Sequence, residues 1–219
     1  MIEPQKKEKL RIGITERSIV DGIHNEKRDT LAQDWHSFLQ NALPDIPWVP
    51  IPNIEKNVID FINEFDINRF IFSGGETPGT SPKRDTTERY LLELAIRRKI
   101  PTICVCRGMQ FLVNHIGEEL ISCEKELHAG VTHEIRWFNE EKLVDSRQTV
   151  NSFHEVGIKN TKSLQQSVEV CAFASVDKTV EAIKLRDANI HGIMWHPERE
   201  AKPKVSDIEF FREVFRAKA

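Results

Sequence analysis

Apolar residues are arranged along the chain in two alternating patterns. Continuous apolar runs predict short buried strands at 11–15 (RIGIT), 48–52 (WVPIP), 69–72 (RFIF) and 102–106 (TICVC). Between them, apolar side chains recur every three to four residues and predict helices at 28–43, 53–65 and 84–99, with a further helix beginning near Met109. Strands that alternate with helices in this way favour a doubly wound, mainly parallel α/β sheet with helices on both faces.

The second half of the chain has a different pattern. Apolar runs predict strands at 132–138, 168–175, 179–187 and 189–198, with few helices between them, and a last helix is predicted at 205–218. Neither a linker nor an internal repeat interrupts the sequence. We therefore expect one domain over residues 1–219, with a β-rich second half.

Composition excludes several classes of protein. Charged residues make up 30% of the 219 residues and the net charge is −3, which argues against a nucleic-acid-binding surface and against disorder. No apolar run reaches the roughly 20 residues of a membrane helix, and no apolar segment follows the basic start as in a signal peptide. The four cysteines lack the spacing of a disulfide framework. We expect a cytoplasmic protein with reduced thiols.

Cys104 and Cys106 end a predicted strand just before Gly108 and a helix. A sharp strand-to-helix turn would expose Cys106 to the positive end of the helix dipole, which favours a nucleophilic thiolate. In an extended strand Cys104 would point to the same side, deeper in the core. A C-x-C metal pair lacks a matching second pair, although HAGVTH (128–133) and HGIMWHPE (191–198) supply histidines. A C-x-x-C redox pair is absent. Local spacing leaves a nucleophile and a buried core thiol equally open for Cys106.

Two further segments could complete a catalytic site around Cys106. His196 and Glu198 end a late strand, where a carboxylate can orient an imidazole that deprotonates a thiol. Gly74 and Gly75 follow another strand, where backbone N–H groups can approach a developing oxyanion. Each segment has a plain alternative, an exposed loop for the first and a glycine turn for the second.

These segments together resemble the class I (triad) glutamine amidotransferase superfamily. CRGMQ (106–110), SGG (73–75) and GIMWHPE (192–198) match its three signatures in order, and VNSFHEVGI (150–158) matches the segment that holds the glutamyl group. With CRGMQ and VNSFHEVGI on a chain without a synthetase domain, the sequence looks most like the γ-glutamyl hydrolase branch, which is peptidase C26-like. The resemblance implies a flavodoxin-like fold and a single glutamine amidotransferase type-1 domain.

The resemblance also implies roles for individual residues in the hydrolysis of a γ-glutamyl amide. Cys106 would be the nucleophile, His196 the base and Glu198 its orienting carboxylate. The N–H groups of Gly75 and Arg107 would hold the oxyanion. The glutamyl group would be bound by Gly74, Gln110, Ser152, Phe153 and His154. No metal or cofactor is implied. A surface position for Gln110 and a hydrogen-bonded loop position for His154 are the plain alternatives.

The leaving group is addressed by a weaker signal. RDTLAQDW (28–35) and KRDTTE (83–88) resemble small members of the branch that act on γ-glutamyl-CDP-amidate in capsule and surface-sugar pathways. Four cations follow strands at the edge where ligands gather in such sheets, and they could face an anionic leaving group: Arg17, Arg28, Lys83 and Arg84. Alternatively, Arg28 and Arg84 only pair with the carboxylate that follows each of them at a helix start.

Three functions remain to be compared. A stand-alone hydrolase of a small γ-glutamyl conjugate is favoured. The second is a glutaminase subunit that supplies ammonia to a separate synthetase and depends on that partner. The third is a non-catalytic binding module, which is disfavoured because all three triad candidates are present. The sequence leaves the oligomeric state open, with a homodimer among the options.

Overall fold

A computed structural model describes residues 9–138 and 146–216. The strands are β1 (Ile12–Thr15), β2 (Arg17–Val20), β3 (Lys27–Thr30), β4 (Trp48–Ile51), β5 (Arg69–Phe72), β6 (Thr102–Val105), β7 (Leu120–Ser122), β8 (Ala129–Trp137), β9 (Ser146–Phe153), β10 (Val156–Ile158), β11 (Val168–Ala174), β12 (Val180–Leu185) and β13 (Ile190–Ile193). The α-helices are α1 (Asp34–Ala42), α2 (Val58–Glu64), α3 (Pro82–Arg98), α4 (Arg107–His115), α5 (Lys125–His128), α6 (Lys162–Ser167) and α7 (Val205–Phe215). Short 3₁₀ helices lie at Glu55–Asn57 and Pro197–Arg199.

Nine strands form one mixed sheet in the order β4-β1-β5-β6-β13-β12-β11-β8-β9. In this sheet order, neighbouring strands pair in parallel from β4 through β1, β5 and β6 to β13. From β13 through β12, β11 and β8 to β9 they pair antiparallel. The alternating first half of the chain therefore builds the parallel side, and the β-rich second half builds the antiparallel side. Strand β13 joins the two, because it pairs in parallel with β6 and antiparallel with β12.

The central parallel strands are covered on both faces. Strands β1, β5 and β6 are buried along their whole length, as expected when helices cover both sides of a sheet. Along β6, Ile103 and Val105 pack into one apolar core, whereas Cys104 packs into the other. Helices α1 and α7 contribute to the first core, and α2, α3 and α4 contribute to the second.

One predicted element is partly wrong. The predicted helix at 28–43 begins only at Asp34, and Lys27–Thr30 form strand β3, which pairs antiparallel with β2. The Asn25 backbone in the turn adopts a left-handed φ of 52°, and the Asp21 N–H donates to the Glu26 carbonyl. Pairing with β2 therefore overrides the local preference, and Arg28 does not open a helix.

The last predicted helix is present as α7, and residues 217–218 of that prediction lie outside the described residues. Among residues 9–138 and 146–216, no helix is both long and apolar enough to span a lipid bilayer.

Candidate active site

Cys106 lies at a sharp turn between β6 and α4. Its backbone has φ 49° and ψ −103°, a combination that a non-glycine residue rarely adopts. Helix α4 packs close to β5, since a Cβ on Gly108 would lie 2.4 Å from the carbonyl oxygen of Phe72. The turn therefore requires glycine at this position and places Cys106 at the amino end of the helix.

Cys104 and Cys106 do not point to the same side, so that expectation is wrong. Cys104 is fully buried in the core beneath α3 and α4, whereas Cys106 contacts the opposite core. The left-handed φ of Cys106 breaks the alternation of the strand. Burial strongly raises the pKa of the Cys104 thiol, which keeps it protonated and unreactive.

His196 and Glu198 follow β13, the strand next to β6. The Nδ1 atom of His196 lies 2.7 Å from Oε1 of Glu198, and both side chains are buried. Asn151, at the end of β9, fixes the backbone of the histidine. The Asn151 Oδ1 accepts from the His196 N–H at 2.8 Å, and its Nδ2 donates to the His196 carbonyl at 2.8 Å.

The protonation of His196 links it to Cys106. Burial is the strongest influence on the imidazole and lowers its pKa. The Cys106 sulfur, through its charge and a hydrogen bond, and then Glu198 outweigh burial, so that the pKa of His196 rises to about 9. The structure thus brings the three predicted catalytic side chains together, with the imidazole of His196 between the thiol of Cys106 and the carboxyl group of Glu198. Such an arrangement can carry out nucleophilic attack on a carbonyl.

The loop after β5 lies against His196, the predicted catalytic base. A Cβ on Gly74 would lie 2.6 Å from Cε1 of His196, so this contact requires glycine. Gly75 has a φ of +146°, and its Cβ would meet Arg84 at 2.4 Å. The N–H of Arg107 belongs to the first turn of α4, whose N–H groups have no acceptor within the helix. These positions agree with an oxyanion site beside Cys106.

Arg84 holds the backbone of this loop. Its Nη2 donates to the carbonyl oxygens of Ser73 at 2.8 Å and Gly74 at 3.2 Å. The N–H of Gly75 belongs to the same peptide plane as the Gly74 carbonyl and points the opposite way. Arg84 therefore orients the Gly75 N–H away from its own guanidinium. The sequence pattern does not predict the contact of Arg84 with these two carbonyls.

The prediction that Arg84 faces the mouth of the pocket is wrong, because its side chain is fully buried among carboxylates. It pairs with Glu88 at 3.0 Å and Glu76 at 3.1 Å. The Arg107 guanidinium joins the same network through Glu88 and Asp85, and burial lowers its pKa to about 9. Only the backbone of Arg107, and not its side chain, is therefore available to the site.

The side chains of the segment predicted to hold the glutamyl group point to two opposite sides of the chain. Phe153 is about half exposed and packs edge-on against His196, with 5.8 Å between the ring centroids. Ser152 and His154 point to the other side: Ser152 donates to the carbonyl of His128, and His154 contacts that of Val156. Gln110 is buried, so a surface position for it is wrong, and its Nε2 donates to the Val156 carbonyl at 2.9 Å.

The remaining predicted cations differ in their surroundings. Arg28 pairs with Asp21 at 2.9 Å and Glu26 at 2.7 Å, so its charge is neutralised within the β2–β3 hairpin. Arg17 is exposed and its Cβ lies beside Gly75. Lys83 is exposed on the first turn of α3. Within the described part of the chain, neither Arg17 nor Lys83 forms an ion pair.

Comparison with known proteins agrees with this geometry. Residues 12–198 match the sequence profile of the peptidase C26 family. The chain is 34% identical over 210 residues to the γ-glutamyl-CDP-amidate hydrolase of Campylobacter jejuni, which covers 93% of this chain and 96% of that protein. It is 28% identical over 185 residues to the γ-glutamyl-γ-aminobutyrate hydrolase of Escherichia coli O157:H7. That match covers 74% of this chain and 68% of the other protein.

A solved structure shows the same fold. The glutaminase domain of Trypanosoma brucei CTPS with bound acivicin superimposes with a TM-score of 0.68 at 14% identity, over 96% of this chain and 95% of that one. At this identity the likeness concerns the fold alone. It confirms the predicted α/β fold of the class I glutamine amidotransferase type.

Proposed function

Because the chain belongs to the peptidase C26 family, we propose that it is a cysteine hydrolase. It would cleave the γ-glutamyl amide bond of a small conjugate and release glutamate. The observation that carries the proposal is the buried contact of Cys106, His196 and Glu198 at the carboxyl edge of the parallel strands. A cysteine hydrolase uses a buried imidazole between a thiol and a carboxylate for proton transfer, whereas a binding module does not need one.

The reaction would follow from this geometry in two halves. The Cys106 sulfur attacks the γ-carbonyl carbon, and the N–H groups of Gly75 and Arg107 stabilise the oxyanion. His196 donates its proton to the leaving nitrogen as the C–N bond breaks, which leaves a thioester on Cys106. Water, deprotonated by His196, then attacks the thioester. The C–S bond breaks, glutamate leaves, and the thiolate–imidazolium pair is restored.

We propose that the substrate is γ-glutamyl-CDP-amidate or a closely related anionic amidate. The 34% identity over nearly the full length of both chains supports this choice. Arg17 and Lys83 support it as well, since both are exposed cations without a carboxylate partner among the described residues. The glutamate and cytidine diphosphoramidate released would then belong to capsule or surface-polysaccharide biosynthesis.

Mass spectrometry of products from a panel of conjugates tests the function. The panel contains γ-glutamyl-CDP-amidate, γ-glutamyl-γ-aminobutyrate and glutamine, in ¹⁸O-labelled water, with Cys106→Ala as the control. We expect glutamate carrying one ¹⁸O and the free amidate from the first substrate. Absence of labelled glutamate from every conjugate, with a folded enzyme, would contradict the proposed hydrolase.

Substitution of the two exposed cations tests the proposed leaving group. We expect Arg17→Ala and Lys83→Ala each to lower kcat/KM for γ-glutamyl-CDP-amidate by roughly ten-fold, the loss of one charge-assisted contact. The value for γ-glutamyl methylamide, whose leaving group is neutral, should not change. Arg28→Ala is the matched control, because its charge is already paired. Equal losses on both substrates would contradict an anionic leaving group.

A glutaminase subunit is the alternative, since the fold is shared with a glutaminase domain. Such a subunit would release ammonia from glutamine slowly when alone and much faster with a synthetase partner. A high rate on an amidate without any partner would therefore decide for the stand-alone hydrolase.

A further inference from the structure

Four buried side chains meet outside the catalytic site. His128 ends α5, His133 lies on β8, His154 follows β9, and Glu181 lies on β12. The exposed fractions of these side chains are 0%, 8%, 2% and 1%, respectively. We call these four residues the histidine cluster. Burying this many polar groups is costly unless each has a partner.

The inward-facing atoms of the histidine cluster have no hydrogen-bond partner among the described residues. These atoms are Nδ1 of His128, Nε2 of His133, Nε2 of His154 and both carboxylate oxygens of Glu181. The nitrogens nevertheless lie near the carboxylate, at 3.9, 3.6 and 3.6 Å, respectively. Several unsatisfied polar atoms around one point are rare in a folded protein and indicate something that binds between them.

The outward-facing ring nitrogens are all occupied. Nε2 of His128 lies 2.8 Å from Asp177, Nδ1 of His133 lies 3.3 Å from the Leu127 carbonyl, and Nδ1 of His154 lies 3.1 Å from the Val156 carbonyl. In a neutral ring, each acceptor would hold the proton on the outer nitrogen, so that the inner nitrogen keeps a lone pair for a ligand. Histidines that bind metals have this arrangement, in which a carboxylate or carbonyl orients the ring.

We propose that the histidine cluster binds one divalent transition-metal ion, with Zn²⁺ as the ion that its ligands suit best. A tetrahedral Zn²⁺ with bonds of about 2.0–2.2 Å separates its ligand atoms by about 3.3–3.6 Å. His133 and His154 each lie 3.6 Å from an oxygen of Glu181, and His128 lies 3.9 Å from one. Three imidazoles and a carboxylate suit zinc better than calcium or magnesium, which take oxygen ligands. The Sγ of Cys123 lies within 4.8 Å of the ligand atoms of His128 and His154 and borders the site.

The proposed ion is structural. The ligand atoms of His128, His133 and Glu181 all lie within 4.8 Å of one another. With His154 as the fourth ligand, the protein would fill a tetrahedral shell and leave no position for substrate or water, which is typical of structural zinc. The ion would join α5, β8, β12 and the segment after β9 at one point. Phe153 precedes His154 and packs against His196. The ion would therefore hold the Phe153 side of the active site in place.

An open cleft borders the histidine cluster. This cleft of about 430 Å³ is lined by Cys123, Leu127 and Asp177, among other residues. The Asp177 side chain is about 29% exposed and contacts His128. The cleft carries both signs of charge, since Lys159 and Lys178 line it together with Glu124 and Asp177. HAGVTH in the sequence contains two of the ligands, but only the fold adds His154 and Glu181.

Metal content tests the proposal. The protein is purified without an affinity tag that binds metal, dialysed, and its zinc, iron, nickel, copper and manganese are measured by mass spectrometry. We expect about one zinc ion per chain in the wild type and in His36→Ala, which removes an exposed histidine on α1. His133→Ala and Glu181→Gln should each lose most of it. Equal metal content in Glu181→Gln and the wild type would overturn the proposal.

Two measurements on the wild-type chain guard against a variant that fails to fold. Replacement with Co²⁺ should give the intense visible absorption of a tetrahedral ion. Removal of the ion with a chelator should lower Tm, and added Zn²⁺ should restore it. An octahedral cobalt spectrum, or a Tm that a chelator does not change, would show instead that protonated histidines balance Glu181.

Discussion

Cys106 and Cys104 lie two positions apart and have opposite chemical properties because their surroundings differ. Cys106 is lifted from the strand by its left-handed backbone and touches His196. Within residues 9–138 and 146–216, Cys104 has no charged neighbour that would stabilise its thiolate, and its burial raises the pKa of the thiol. We therefore expect the reactive thiol to be Cys106, where the strand ends, and not Cys104.

Substitution of each cysteine tests this difference. Cys106→Ala should lower kcat by at least about 10³-fold, as the loss of a nucleophile does in comparable triads. Cys104→Ala should keep most activity and cost about 1–2 kcal/mol of stability through a small cavity. A diazo-ketone analogue of glutamine should label Cys106 alone, as judged by peptide mass spectrometry. Labelling of Cys104 would contradict the assignment.

The raised pKa of His196 should be visible directly. We expect its Cε1–H resonance to titrate near pH 9 in the wild type, since Cys106 and Glu198 together outweigh burial. In Cys106→Ala the pKa should fall, because the largest influence that raises it is removed. Cys104→Ala serves as the control and should leave the titration unchanged. An identical titration in the wild type and Cys106→Ala would exclude a thiolate–imidazolium pair.

At the scale of elements, helix α3 supports the loop after β5 through one side chain. Arg84 lies on its first turn and reaches across to the carbonyls of Ser73 and Gly74. Glu88, one turn later, balances its charge and also accepts from the Thr15 hydroxyl on β1. The helix therefore orients the proposed oxyanion site without touching the substrate, which makes Arg84 a positioning residue.

Arg84→Lys tests this role while it keeps the charge beside Glu88. A lysine cannot reach both carbonyls with a planar fork, so kcat should fall by roughly 10- to 100-fold with little change in KM. Alkylation of Cys106 by iodoacetamide needs no oxyanion site and should keep its rate. Arg89→Lys is the matched control, because Arg89 is exposed on the same helix. A parallel loss of alkylation and kcat would indicate general disruption instead.

For the molecule as a whole, the two halves of the chain share one site. The parallel side supplies Cys106 and the glycine loop, and the antiparallel side supplies Asn151, which fixes the backbone of His196. Both apolar cores also contain side chains from both halves, such as Trp35 with Trp195 and Leu91 with Ile183. The halves therefore cannot separate without opening both cores.

Equilibrium unfolding in urea should accordingly show one cooperative transition. Tryptophan fluorescence reports on both halves, from Trp35 and Trp48 on the parallel side and from Trp137 and Trp195 on the antiparallel side. Its midpoint should coincide with that of far-UV circular dichroism. Two separated transitions would contradict a single domain.

The amino-acid sequence by itself determined the fold class and the order of most elements. Buried strands such as Arg69–Phe72 appear as continuous apolar runs, because both faces of the strand are buried. Helix α2 shows helical spacing of apolar residues, because only one stripe of the helix is buried. The catalytic candidates could also be predicted, since Cys106 precedes a glycine turn and His196 and Glu198 follow a strand. These signals are local and need no knowledge of distant residues.

Tertiary structure alone decided which side chains meet across the sheet. Arg84 and Arg28 resembled each other in sequence, yet one is buried beneath the glycine loop and the other is paired in a hairpin. Strand pairing brings Asn151 to His196, and it brings Glu181 to the histidines of α5 and β8. Such contacts join residues about 45 or more positions apart, for which spacing along the chain carries no information.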